Sequence, residues 1–86
     1  MIKTIIIDDE KLAREGLKNL LREFTDIEII AEAGNADEGL DLIDKLKPQL
    51  IFLDIQMPEK TGFEMLEELI ESPAIIFTTA YNEYAI

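Results

Sequence analysis

Short apolar runs alternate along this chain with longer stretches in which apolar residues recur every three or four positions. Ile5 to Ile7 continue an apolar run from Ile2 and stop at Asp8-Asp9, which predicts a first strand. From Lys11 the period changes. Ala13, Gly16, Leu17, Leu20, Leu21 and Phe24 share one helical face, with Arg14, Glu15, Lys18, Arg22 and Glu23 mostly outside it. Ile27 to Ala33 then alternates, with Ile27, Ile29, Ala31 and Ala33 on one side and Glu28, Ile30 and Glu32 on the other. That pattern predicts a half-exposed strand at a sheet edge. Gly34 turns the chain, and Asn35 with Glu38 three residues on caps a second helix. Its apolar face is Ala36, Leu40, Ile43 and Leu46, and Pro48 marks its end.

Leu50 to Leu53 form a continuous apolar run, the mark of a strand buried on both faces. Thr61 followed by Glu64 has the form of a capping box for a third helix that buries Phe63, Leu66, Leu69 and Ile70 and ends at Pro73. Ala74 to Phe77 give a fourth strand, and "TTAYNEYAI" begins a further helix. Strands alternating with helices in this way predict an α/β domain, a parallel sheet with helices on both faces and right-handed crossovers. There is no repeat, linker or low-complexity segment.

Eighty-six residues make a single small domain, and an apolar fraction of 48% is that of a folded chain. Nineteen acidic residues against eight basic ones give a net charge of −11. Such a surface lacks the basic patch that nucleic-acid binding needs, while it suits cations and basic protein partners. The absence of cysteine and histidine excludes thiolate and imidazole metal sites and any Ser-His or Cys-His nucleophile. No segment is apolar for long enough to span a membrane, and the N-terminus lacks a signal-peptide pattern. A cytoplasmic domain is the expectation.

Open α/β sheets bind ligands beyond the carboxyl ends of their strands. The residues just past the apolar runs are Asp8 and Asp9 after the first strand, Asp54 after the third, and Thr78 and Thr79 after the fourth. Taken singly, an aspartate there ends a strand, begins a turn or, as Asp9 could, caps a helix. Taken together the three point to one site. Two unit charges about 4 Å apart repel by roughly 1 kcal/mol in water and about 4 kcal/mol at an effective dielectric of 20. Such a cluster must hold a proton or attract a cation. Hard oxygen ligands without nitrogen or sulfur favour Mg2+, with Mn2+ and Ca2+ as alternatives. Glu10 is accounted for by the dipole of the first helix.

"IIIDDE" at the first strand end, "LIFLDIQMPEKTGFEML" around the third and "IIFTTA" at the fourth together resemble a two-component response-regulator receiver domain. The resemblance runs the whole chain, residues 1–86. It implies a flavodoxin-like doubly wound parallel sheet in the order 2-1-3-4, continued in the family by a fifth strand and helix. It also implies roles. Asp54 stands at the phosphoacceptor. Asp9 would ligate Mg2+ directly, Asp8 largely through water and Gln56 through its backbone carbonyl. Thr79, before Ala80, stands at the switch hydroxyl, leaving Thr78 to strand packing. Met57-Pro58 and Gly62 match the loop beyond the phosphoacceptor, and "TAYNEY" resembles receivers joined to LytTR-type DNA-binding domains.

The implied activity is a phosphoaspartate switch, not a turnover enzyme: a sensor histidine kinase donates the phosphoryl group and an output domain, expected to regulate transcription, responds. A carboxylate nucleophile toward phosphorus, with Mg2+ neutralising charge, suits these residue types. The alternatives are a phosphorylation-independent interaction module of the same fold and a haloacid-dehalogenase-type phosphohydrolase. The last wants a second acid two residues after the nucleophile, where this chain has Gln56. The family's pattern continues past Ile86 with the lysine that pairs with phosphoryl oxygens, so an incomplete receiver is expected, with its fourth strand as an open edge. That edge and the uncovered apolar helix faces predict self-association, seen as a dimer or larger species in sedimentation at high micromolar concentration; a stable monomer there contradicts it.

Overall fold

Three helical crossovers connect four strands in the computed structural model, which describes residues 1–78. In chain order these are β1 (Ile2–Ile7), α1 (Lys11–Leu21), β2 (Ile27–Ala33), α2 (Ala36–Leu46), β3 (Leu50–Asp54), α3 (Gly62–Glu67) and β4 (Ala74–Thr78). All strand pairs are parallel, in the order β2-β1-β3-β4. The α/β class, the edge position of β2 and the order 2-1-3-4 are thus as expected. Thr79 and the start of a further helix lie outside the described residues.

The sheet has a packed layer on each face. Ile5, Ile7, Ile51 and Leu53 meet Ala36 and Ile43 of α2 and Met65 of α3. Ile6, Leu50 and Phe52 point the other way, where Leu21 and the half-buried Leu17 of α1 cover them. With layers on both sides, all five residues of β3 are buried. A fully buried side chain of this size contributes about 1.5–3 kcal/mol, so the apolar run from Leu50 to Leu53 anchors the sheet.

Helix ends follow the sequence closely. The Asn35 side chain accepts from the Glu38 N–H at 2.8 Å. Thr61 and Glu64 form the full capping box, each side chain accepting from the other residue's backbone N–H. Helix α2 stops where Lys47 turns left-handed (φ 49°), just before the buried Pro48. At α1 the N-cap residue is Glu10, with no side-chain cap, so Asp9 does not fill that role.

Leu46, the last residue of α2, is exposed although the periodicity puts it on the apolar face, and the structure differs from the periodicity at three further places, each for a physical reason. Strand β2 is not a plain alternation. Its register with β1 slips between Thr4, opposite Ile29, and Ile5, opposite Ala31, so Ile30 is the extra residue of a bulge. The slip reverses the phase: Ile27 and Ile29 pack with α1, while Ala31 and Ala33 pack against the α2 and α3 layer. Glu32 is thereby turned toward α1, where Arg14 and Lys18 reach it at 2.8 and 2.6 Å.

On α1, Leu21 is buried and Leu17 half-buried, but Ala13, Gly16, Leu20 and Phe24 are exposed. The helix touches the sheet along a narrow line, and no other described element faces its remaining apolar side. Phe24 also lies past the helix end. The third helix runs for only six residues, so its register no longer carries Ile70 inward; Ile70 is fully exposed and Met65 fully buried instead. Phe63 is half exposed and packs on Phe77, ring centroids 5.0 Å apart. Met65→Ala should therefore cost about 2–5 kcal/mol in urea unfolding. Ile70→Ala should change stability by no more than about 0.5 kcal/mol. The reverse ranking would overturn this account of α3.

Candidate functional site

Parallel pairing sets Ile7 beside Leu53, so the residues that follow them leave the sheet side by side. Asp54 is the last residue of β3, and Asp8 and Asp9 are the first two beyond β1. One carboxylate oxygen from each of the three lies within 4.8 Å of the others. Asp54 is buried, Asp8 half-buried and Asp9 exposed, so the cluster is graded from core to solvent. Burial is the main force that pushes the Asp54 carboxyl up to about 7, with the Asp8 charge and the neighbouring Asp9 adding to it. The Gln56 backbone N–H, 3.2 Å from Asp54 Oδ1, works in the opposite direction.

The β1–α1 loop is held from several sides. The Asp8 N–H donates to the Ala33 carbonyl at 3.0 Å. The Asp8 carboxylate accepts from the Glu10 N–H at 2.9 Å. The Asp8 carbonyl accepts from Arg14 Nη1 at 2.6 Å.

The loop after β3 is as closely defined. The Ile55 N–H donates to the Thr78 carbonyl at 3.2 Å, and the Gly62 N–H returns to the Ile55 carbonyl at 2.9 Å. Gly62 packs so tightly on β3 that a Cβ there would lie 2.5 Å from the Asp54 carbonyl oxygen. Only glycine fits such a backbone approach. Met57 is buried in the core, and Glu59 carries a left-handed φ of 69° at the outside of the turn. Lys60 does not serve the carboxylate cluster. Its ammonium pairs with Asp37 at 3.1 Å and with Glu68.

A cavity of about 390 Å³ opens over the cluster, lined by Asp8, Asp9, Asp54, Gln56 and Thr78 at its polar end. A larger one of about 650 Å³ lies at the other end of the strands, between the end of α2 and the α3–β4 connection, and contains none of these carboxylates. Asp8, Asp9, Asp54 and Gln56 are brought together as the sequence implied, while Thr79 lies outside the described residues. Thr78 is the last residue of β4, paired with Asp54, and lines the cavity beside it. Arg14 is the feature that periodicity missed. It counts as an outward helix residue there, yet it bonds to Glu32, which the bulge in β2 turns toward α1, and to the Asp8 carbonyl. Three hard carboxylates and no nitrogen or sulfur ligand fit a hard divalent cation such as Mg2+.

The family model of the response regulator receiver domain matches residues 4–86. The chain belongs to this family. Curated relatives of the receiver domain include the transcriptional regulatory protein BtsR of Escherichia coli K12, 52% identical over 88 residues. A response regulatory protein of Vibrio cholerae is 49% identical over the same length. Each alignment covers the whole of this chain and 37% of the relative, so the chain spans little more than a third of their length. Among solved structures, the response regulator domain of Thermotoga maritima CheB superposes with a TM-score of 0.85 at 26% identity, covering 99% of this chain and 65% of that one. The response regulatory domain of mrkE from Klebsiella pneumoniae gives 0.81 at 31% identity, covering 98% and 71%. Among the described residues of the receiver domain, no helix is long and apolar enough to cross a membrane.

The raised Asp54 carboxyl has a thermodynamic consequence. A carboxyl that binds its proton more tightly folded than unfolded favours the fold below its ordinary value of 3.8, and that contribution is lost as pH rises through about 7. Asp54→Asn removes the ionisation. The variant should unfold at higher urea than the parent near about pH 8, with the margin shrinking to nothing near about pH 4. A margin independent of pH would contradict the assignment.

Proposed function

We infer that this receiver domain is a phosphoaspartate switch in which Asp54 takes a phosphoryl group from the phosphohistidine of a sensor histidine kinase. The observation that carries this reading is the convergence of Asp8 and Asp9 on a buried Asp54 whose carboxyl is raised to about 7. In the ionised form, an Asp54 carboxylate oxygen attacks phosphorus and the phosphorus–nitrogen bond of the donor breaks, leaving an acyl phosphate and a histidine that takes up a proton. Asp8, Asp9, Asp54 and the Gln56 backbone carbonyl would hold Mg2+, which would supply charge neutralisation for the phosphoryl oxygens. The residues themselves do the rest. Strand β3 fixes Asp54, the Gly62 contact keeps the loop closed over its backbone, and the Gln56 N–H orients one carboxylate oxygen.

The switch hydroxyl in this reading is Thr79, next to the cavity-lining Thr78. Its movement toward an acyl phosphate would bias the following segment between two arrangements. The output is a DNA-binding domain outside this chain, a proposal supported by the greater length of relatives that are named transcriptional regulatory proteins. The segment itself would bind neither nucleic acid nor membrane, and its place is the cytoplasm. The exposed Leu12, Leu20 and Phe24 of the α1 side, and Ile76 of β4, support self-association of the chain.

Incubation with Mg2+ and acetyl phosphate, or with beryllofluoride, should modify the chain in a way that Asp54→Asn abolishes, read by intact-mass spectrometry for phosphate and by fluorine NMR for the fluoride. A chain extended through the fifth strand and helix of the family that still stays unmodified at Asp54 under both treatments would point instead to an interaction module that works without phosphorylation.

A further inference from the structure

Arg14 connects β2 to the β1–α1 loop through its side chain. Its Nε donates to Glu32 Oε1 at 2.8 Å, and its Nη1 donates to the Asp8 backbone carbonyl at 2.6 Å. The side chain is only 16% exposed, so this is not a loose surface pair. Glu32 is held in turn by Lys18 at 2.6 Å. The charge partners depress the Glu32 carboxyl below its usual range, led by the hydrogen bond from Lys18 and then that from Arg14, so it stays ionised.

This arrangement depends on the bulge at Ile30. Without the extra residue Glu32 would face the α2 side, away from α1, and Arg14 would have no anion to hold it. The planar guanidinium can serve both partners at once because its donors are fixed in a fork. One prong is anchored on the sheet edge and the other on the loop that carries Asp8 and Asp9. Those two carboxylates repel each other and Asp54, and a loop free to relax would carry them apart.

We propose that Arg14, braced by Glu32, is a positioning residue that keeps the β1–α1 loop closed so that Asp8 and Asp9 converge with Asp54 on the divalent cation. This rests on the metal-binding reading above, but the brace itself is testable without metal. Lys18 is the control. It stabilises the same contact between α1 and β2 through Glu32 but does not touch Asp8.

Mg2+ titration by calorimetry on the intact chain should show about a 10-fold weaker affinity in Arg14→Met. Lys18→Met should keep the parental affinity even where urea unfolding shows an equal loss of stability. If Arg14→Met does not fold, Arg14→Lys takes its place with the same expectation, because its single nitrogen cannot span both partners. Unchanged affinity in the Arg14 variant, or an equal loss in Lys18→Met, overturns the proposal. Should the parent chain bind no Mg2+, the metal reading fails, and amide exchange at Glu10, whose N–H is bonded to the Asp8 carboxylate, decides the brace. Faster exchange at Glu10 in the Arg14 variant alone supports it; equal rates in all three chains overturn it.

Discussion

Three carboxylates of like charge sit within 4.8 Å of one another at the end of a parallel sheet, and the architecture has to hold them there against their repulsion. The resisting force is not local to the cluster. It comes from the parallel ladder between β1 and β3, whose central residues are wholly buried between layers of aliphatic side chains. Hydrophobic burial thus sustains an electrostatic arrangement that would relax in a looser chain. The Asp54 carboxyl is raised first by its burial in that core and then by the charge of Asp8.

Every element around the cluster limits one freedom. The capping box starts α3 at a fixed residue, so the loop from Ile55 to Gly62 cannot lengthen at the expense of the helix. Lys60, clasped by Asp37 and Glu68, ties the outer part of that loop to α2 and α3. These are solvent-facing ion pairs of small individual worth, so they steer the loop more than they stabilise the fold. The buried backbone contact at Gly62 is the firmer restraint.

Much of this was legible in the sequence because the signals were local. Strand β3 showed itself as an unbroken apolar run, the second and third helices by their capping residues, and the site by acids placed just past apolar runs. What periodicity could not show was non-local. The bulge at Ile30 arises from the register between β2 and β1, and a period-two count has no term for it. The exposure of Leu20 and the full burial of Met65 depend on where a helix lies against the sheet and how soon it ends. The inward turn of Arg14 was invisible for the same reason, since its partner Glu32 lies 18 residues further along the chain on β2.

The approach of Gly62 to Asp54 also bears on how the domain carries force. Side chains in contact can absorb a displacement by changing rotamer, so a path made of them is compliant. Here the first residue of α3 rests directly on the peptide group of Asp54, with no side chain between them. A shift of that peptide has no rotamer in which to dissipate and must move the helix or break the contact. The smallest residue in the loop therefore makes a stiff joint, a hard bearing between the backbone of Asp54 and the start of a helix.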